Sequence, residues 1–304
     1  APEVGVGRLP ASTLATANAM VDKVMAYESA AGGAAWPGGM LFAAEVLFPT
    51  NWPDSPVSTD GATYCEAIRN NYIIPCTDMY TTRMYENDTV YEGAVHLSLA
   101  ALIDTLNAGH HSLFNQIGHG HFFNMSVGDA NFRTEHADAL TNENTFLLYS
   151  LNCASGAFDY ACLMERFVQN PHGGSVASIG SSREAFPSVS NNYQQRFFEA
   201  LLCDGQFLVS DAITASRTDF LGNTLRETHD RWTQLTYSLL GDPALAAWSG
   251  SPRPLAIAAP ASIAAGARQL TVAVTSQGSP VTGALVCARK GAETYAYGTT
   301  GADG

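Results

Sequence analysis

The sequence predicts an α/β protein: a mostly parallel sheet flanked by helices on both faces, followed by part of a β-sandwich. Three observations carry this expectation. Apolar runs of strand length at 40–48, 112–117, 146–151 and 175–179 alternate with stretches of helical periodicity. Those runs are nearly continuous and do not alternate apolar with polar, so the sheet is expected to be covered on both sides. After Gly241, Asp242 and Pro243 helical periodicity stops, and short alternating segments take over.

In chain order, 12–29 places Leu14, Ala17, Val21, Val24 and Met25 at helical spacing, with Ser12 or Thr13 as cap and Gly32 and Gly33 as stop. The first strand, 40–48, leads into a loop rich in Pro, Asp and Ser up to Gly61. Helices are expected over 62–72 and over 92–107, where Val95, Leu99, Leu102, Ile103 and Leu106 share a face and Gly109 ends the run. Strand 112–117 runs into His119, and a looped region with Gly128, Asp129 and Asn131 follows. Strand 146–151 runs into Cys153. Residues 160–169 read as a helix broken by Pro171, Gly173 and Gly174, and strand 175–179 ends in Gly180, Ser181 and Ser182. Three helical stretches follow, at 191–202, 207–220 and 225–240. SGSPRP at 249–254 is a linker by composition, and 270–275 and 284–289 are strand candidates of an incomplete sandwich of immunoglobulin type. The expected division is 1–248 and 249–304.

With 304 residues, one large domain and a small one are expected. Hydrophobic residues make up 46% and charged residues 14%, which suits a sizeable core and excludes a disordered chain. The formal net charge of -13 argues against nucleic acid as a partner, because phosphate binding needs Lys and Arg. An acidic surface suits a soluble secreted protein without proving secretion. No apolar run approaches the roughly 20 residues that span a bilayer. The opening APEVGVGRLP has neither a charged n-region nor an apolar h-region, and ETYAYGTTGADG breaks off in a strand-rich segment. The expectation is a piece of a longer precursor with further domains. The six cysteines are dispersed and form no CxxC pair. For Cys65 and Cys76 two readings stay open: a bridge in an oxidising compartment, or two small buried hydrophobes.

The chemistry concentrates at two strand ends. One apolar run stops at His119 and Gly120, the other at Asn152 and Cys153. A cysteine nucleophile needs thiolate character, which a neighbouring imidazole and a following helix N-terminus both favour. Gly120 lets the backbone approach a substrate, so that its amide can face a developing oxyanion. Ala154, Ser155 and Gly156 keep the other side of the sulfur open. The bland alternative is a core cysteine and a hydrogen-bonded histidine that never meet.

The motifs extend further. EVGVGRLPASTLATANAMVDKVMAYE, LNAGHHSLFNQIGHG, LTNENTFLLYSLNCASGAFD, NPHGGSVASIGSSRE and LLGDPAL occur in this order. They resemble the opening segment, histidine strand, cysteine strand, next strand and closing segment of the gingipain-like cysteine peptidases, relatives of caspases, legumain and clostripain. Ala259 and Pro260 open a segment resembling the family's immunoglobulin-like domain, so the resemblance covers nearly the whole chain. It implies a caspase-like fold, a secreted or cell-surface location, and hydrolysis of protein or peptide substrates. Cys153 would be the nucleophile, His119 the general base and acid, and the amides of Gly120 and Cys153 the oxyanion hole. It also implies an acidic residue after the first strand to orient the imidazole. Glu45 in FAAEVLF is the nearest candidate, where relatives often have consecutive acids. Asp60 in STDGATYCEAI sits near the aspartate that lines the specificity pocket of gingipains cutting after basic residues; a solvated loop aspartate is the alternative. Ser181, Ser182 and Arg183 lie where relatives build the pocket wall, and Arg183 could instead favour an acidic substrate residue, which leaves the sign of the pocket open. No cofactor is implied as required, and calcium is expected at most as a structural ion.

Two rivals stand beside this reading. His119, His121, His110 and His111 with Cys153 could bind zinc, although no ligand motif of fixed spacing supports it. A peptidase fold kept as a catalytically silent adhesion or secretion module is the other.

Overall fold

Parallel strands need cover on both faces, and this chain supplies it with two apolar layers. The computed structural model describes residues 4–30, 34–48, 59–128, 130–226, 228–264, 266 and 269–304. Most of the predicted loop at 49–61, and Asp129, lie outside them. The chain divides into two units, residues 1–30 with 35–251 and residues 31–34 with 252–304.

In the first unit, α1 (Leu14–Glu28) starts where the Thr13 side chain accepts from the Thr16 amide. Then come β1 (Gly39–Ala44), β2 (Val46–Phe48), β3 (Thr59–Asp60), α2 (Gly61–Ile68) and α3 (Ile74–Cys76). β4 (Tyr80–Tyr85), β5 (Val95–His96), α4 (Leu99–Asn107) and β6 (Leu113–Ile117) follow. A small ribbon, β7 (Gly120–His121), β8 (Asn124–Val127) and β9 (Ala130–Arg133), leads to α5 (Thr134–Asp138) and β10 (Phe146–Leu151). α6 (Leu163–Gln169), β11 (Ser175–Ser181), α7 (Pro187–Leu202), α8 (Val209–Asp219), α9 (His229–Thr236) and β12 (Tyr237–Leu240) complete it.

The main sheet has seven strands in the order β12-β11-β10-β6-β1-β4-β5, and only β12 runs antiparallel. β1, β6, β10 and β11 are buried along their whole length. Their side chains alternate between two cores. Phe42, Leu113, Ile117 and Leu151 pack with Cys65 and Ile68 of α2 and Phe197 and Leu201 of α7. Leu41, Phe114 and Leu148 pack with Leu102 of α4 and Phe167 of α6. Truncating Phe42 or Phe114 to alanine should cost about 3–5 kcal/mol. Buried Lys23 pins α1 to the sheet, its ammonium donating to the carbonyls of Phe167, Gly173 and Ser175 at 3.2, 3.2 and 2.9 Å.

Several expectations are corrected. The strand at 40–48 breaks at Glu45, whose amide still pairs with Ile117 while β2 leaves for a separate pairing with β3. The helix at 62–72 loosens into a π-helical turn over Arg69–Ile73. The helix at 92–107 begins only at Leu99, capped by Ser98, because Val95 and His96 pair with β4. The helix at 225–240 gives way to β12, whose pairing with Ser178–Ser181 of β11 overrides local helical propensity. Tyr80–Tyr85 is a strand that its polar sequence TTR hides. The proposed bridge between Cys65 and Cys76 does not form: Cys76 bonds Cys203 across 127 residues, and Cys65 is a free buried thiol that accepts from Asn115 at 3.5 Å.

The second unit is all β. β13 (Ala256–Ala258), β14 (Ala273–Ser276) and β15 (Ser279–Pro280) form one small sheet, and β16 (Leu285–Lys290) with β17 (Thr294–Thr299) form a hairpin.

Candidate active site

β6 and β10 are parallel neighbours, and their register ends with Ile117 opposite Leu151. The Gly118 amide extends the ladder by one bond to the Leu151 carbonyl at 3.1 Å. His119 and Cys153 therefore each stand two residues beyond a paired couple, on strands spaced about 4.8 Å apart. Both leave the carboxyl edge of the sheet, where open α/β sheets bind ligands.

The imidazole is held by main chain. Nε2 lies 2.9 Å from the Leu47 carbonyl, and the Phe48 ring meets it edge-on at 5.8 Å. A carbonyl can only accept, so Nε2 carries the proton and Nδ1 is the basic nitrogen. Glu45 does not touch the ring. Its buried carboxylate accepts from the main-chain amide of His119 at 2.8 Å and from Ser126 Oγ at 2.8 Å. The expectation that Glu45 orients the imidazole directly is thus corrected: the acid fixes the backbone under the ring, and a carbonyl fixes the ring.

The thiol is half-buried, and the Ala185 amide points at its sulfur from 3.4 Å. The residue after it, Ala154, adopts a left-handed φ of 57°, which costs an L-residue about 1–2 kcal/mol. The turn is closed by the Ala154 amide on the Arg183 carbonyl at 2.8 Å and the Gly156 amide on the Ser181 carbonyl at 2.9 Å. The helix expected over 160–169 begins only at Leu163, so the N-terminus of α6 is set back from the sulfur. Next to Ala185 opens a groove of about 800 Å³ lined by Phe186, Val189, His229, Trp232 and Leu235. Phe186 and His229 stack across it at 4.0 Å.

Residues 1–248 match the model of peptidase family C25. The chain belongs to that family. No curated protein matches the chain. Among solved structures it is similar to the Arg-specific cysteine proteinase gingipain R (RgpB), with 20% identity over 94% of this chain and a TM-score of 0.73. The complex of the Porphyromonas gingivalis RgpB pro- and mature domains gives 20% identity over 93% and the same TM-score. A third structure, described only as a protease, gives 19% over 96% and 0.72. The chain spans 64%, 64% and 65% of those three chains. The likeness establishes the gingipain, caspase-like fold for this C25 chain.

The other predicted positions fall as follows. Asp60 caps α2 through the Ala62 amide at 2.9 Å, and its second oxygen accepts from Asn87 at 3.1 Å and Tyr91 at 3.4 Å. Through its main chain it pairs with Val46, the residue between Glu45 and Leu47. Ser181 is fully buried and braces the cysteine turn, so it cannot line an open pocket. Ser182 is tied by its amide to the Thr236 carbonyl at 2.8 Å. Arg183 forms a two-pronged pair with Asp159 at 3.0 and 3.2 Å, which leaves little net charge to attract an acidic substrate. The zinc rival loses its ligands to other contacts. His111 is buried on Thr82 Oγ1 at 2.7 Å, and His121 packs on Phe122 and Phe123. Among the described residues, no three His, Cys, Asp or Glu side chains gather as a metal site. The Leu47 carbonyl was invisible to sequence reading, since a main-chain group has no letter. Gln116 and Asn152 did carry a signal, as polar residues inside one buried strand and directly after another.

Proposed function

We propose that this chain is a cysteine endopeptidase. The observation that carries the reading is the shared offset of His119 and Cys153 past one strand register, with the Ala185 amide facing the sulfur. Cys153 Sγ attacks the peptide carbonyl and its proton passes to His119 Nδ1. The amides of Gly120 and Cys153 stabilise the oxyanion, and the amine departs with the proton from the imidazolium. Water, deprotonated by the same ring, then hydrolyses the thioester. Calcium enters this proposal only as a structural ion. No step of the reaction is routed through it.

Asp60 gives the pocket its sign in this reading, because the competing cation Arg183 is spent on Asp159. A basic residue before the cleaved bond follows, consistent with the Arg specificity of gingipain R. A secreted or cell-surface location and an immunoglobulin-like second unit belong to the same proposal. A positional peptide library run on the wild type and on Cys153→Ala tests it. Cleavage after Arg or Lys by the wild type alone is expected. A folded wild type that cuts nothing, with Cys153 alkylated no faster than an ordinary exposed thiol, establishes the silent module instead.

A further inference from the structure

The main chain of Gly118, His119 and Gly120 rests on a bed of buried polar side chains. A Cβ at Gly118 would stand 2.8 Å from Gln116 Nε2 and 2.8 Å from Glu45 Oε2. A Cβ at Gly120 would stand 3.0 Å from Asn152 Cγ and Nδ2. Both glycines flanking the histidine are therefore in close contact with these groups.

The same groups are linked to one another. The His119 amide donates to Glu45 Oε2, and Ser126 Oγ donates to Glu45 Oε1, each at 2.8 Å. Gln116 Nε2 donates to the Ser126 carbonyl at 3.3 Å. Gln116 Oε1 accepts from Ser150 Oγ at 2.5 Å and from Asn152 Nδ2 at 3.2 Å. Ser155 Oγ closes the chain on Asn152 Oδ1. Gln116, Ser150, Asn152 and Ser155 are all buried. The chain thus runs from the amide of His119 to the two residues that flank Cys153 and Ala154, on the side of the sheet opposite α7.

We propose that Gln116 and Asn152 are positioning residues that set the height of the histidine loop relative to the cysteine. Gln116 sits on the histidine strand and Asn152 ends the cysteine strand, so their mutual bond fixes one loop against the other. Asn152 also supports the Gly120 backbone, whose amide is the oxyanion donor in the peptidase reading. The inference rests on that reading. Neither side chain touches substrate; each acts through backbone. Displacing one reacting partner by an ångström costs about a hundredfold in rate.

The test uses the full chain and the best peptide from the library. Gln116→Met, Asn152→Ala and the double variant are compared with wild type in kcat, KM and melting temperature. The expected result is a kcat lower by about tenfold to a hundredfold for each single variant with KM within about twofold. The double variant should lose no more than the worse single one, because both cut the same chain. If Asn152→Ala does not fold, Ser155→Ala removes one bond to the same carboxamide and should lower kcat by a smaller factor. Folded variants with wild-type kcat, or a loss that falls on KM, overturn the inference alone. A folded wild type without activity overturns the peptidase reading, and the inference with it.

Discussion

The two strand ends that face each other at the carboxyl edge are built in opposite ways. The β6 end is tied from several sides: Leu47 holds the ring, Glu45 the backbone amide, and the Ser126 amide the His119 carbonyl at 2.8 Å. The β10 end turns sharply through a left-handed Ala154, and the sulfur meets one amide at 3.4 Å. A base must keep one nitrogen aimed at two proton positions during a turnover, so immobility serves it. A nucleophile must move from its resting contact into a bond, so loose tethering serves it. The difference teaches that the reactive side chain itself is pre-organised on the histidine side, whereas on the cysteine side the backbone turn is tied and the sulfur is not.

Substitutions that sharpen or break this contrast can be ranked by size. His119→Ala should lower kcat by about 10³–10⁴-fold, at the upper end of the range for a general base. A tenfold loss or less would mean that the tightly held side is not the catalytic one. Next comes acid stability. His111, at the opposite end of the histidine strand, is 6% exposed, and burial followed by the neighbouring His110 holds its imidazole down at about 4. Its ordinary value is 6.5, so the unfolded chain binds the proton first as pH falls. Its contribution, about 3 kcal/mol, is complete above pH 6.5 and is lost between pH 6.5 and 4. Melting temperatures across that window should drop for the wild type and flatten for His111→Gln, which separates acid unfolding from titration of the catalytic pair. An unchanged slope in the variant would remove His111 from the explanation.

Glu45→Gln should cost less, about 2 kcal/mol, because it weakens charge-assisted bonds to an amide and a hydroxyl without emptying the space. If that cost falls on the transition state, kcat drops about thirtyfold with KM little changed. Wild-type kinetics would show that the histidine backbone needs no such support. Ala154→Gly is the smallest change. Relief of the left-handed strain is partly cancelled by the entropy of glycine, so a gain of at most about 1 kcal/mol is expected. A rise of a few degrees in melting temperature with kcat preserved fits a turn whose strain is not needed by the nucleophile. A large loss of activity would instead show that the turn is as demanding as the histidine side.

How far the sequence disclosed this architecture depended on what each residue's neighbours are. Strand 146–151 is legible to the residue, because a strand buried on both faces is written in apolar letters apart from Ser150. Tyr80–Tyr85 is not, since its middle side chains are only half-buried and its place comes from pairing with β1. Tyr237–Leu240 is lost for a related reason: four residues continuing a helical pattern are claimed by a distant edge. His119 and Cys153 are readable because reactive side chains end apolar runs. The role of Glu45 is not, because a carboxylate bound to a backbone amide leaves no mark on the partner's identity. Arg183 is readable as a cation but not as a neutralised one, since its partner Asp159 is met only across the turn.

The most direct test of the central claim is the rate of Cys153 alkylation by iodoacetamide as a function of pH, measured on the folded wild type and on His119→Ala. A nucleophile paired with this imidazole should react in the wild type faster than an ordinary exposed thiol, and the substitution should bring its rate down to that of an ordinary thiol. Identical profiles for the two proteins would contradict it, because the ring would then have no hold on the sulfur.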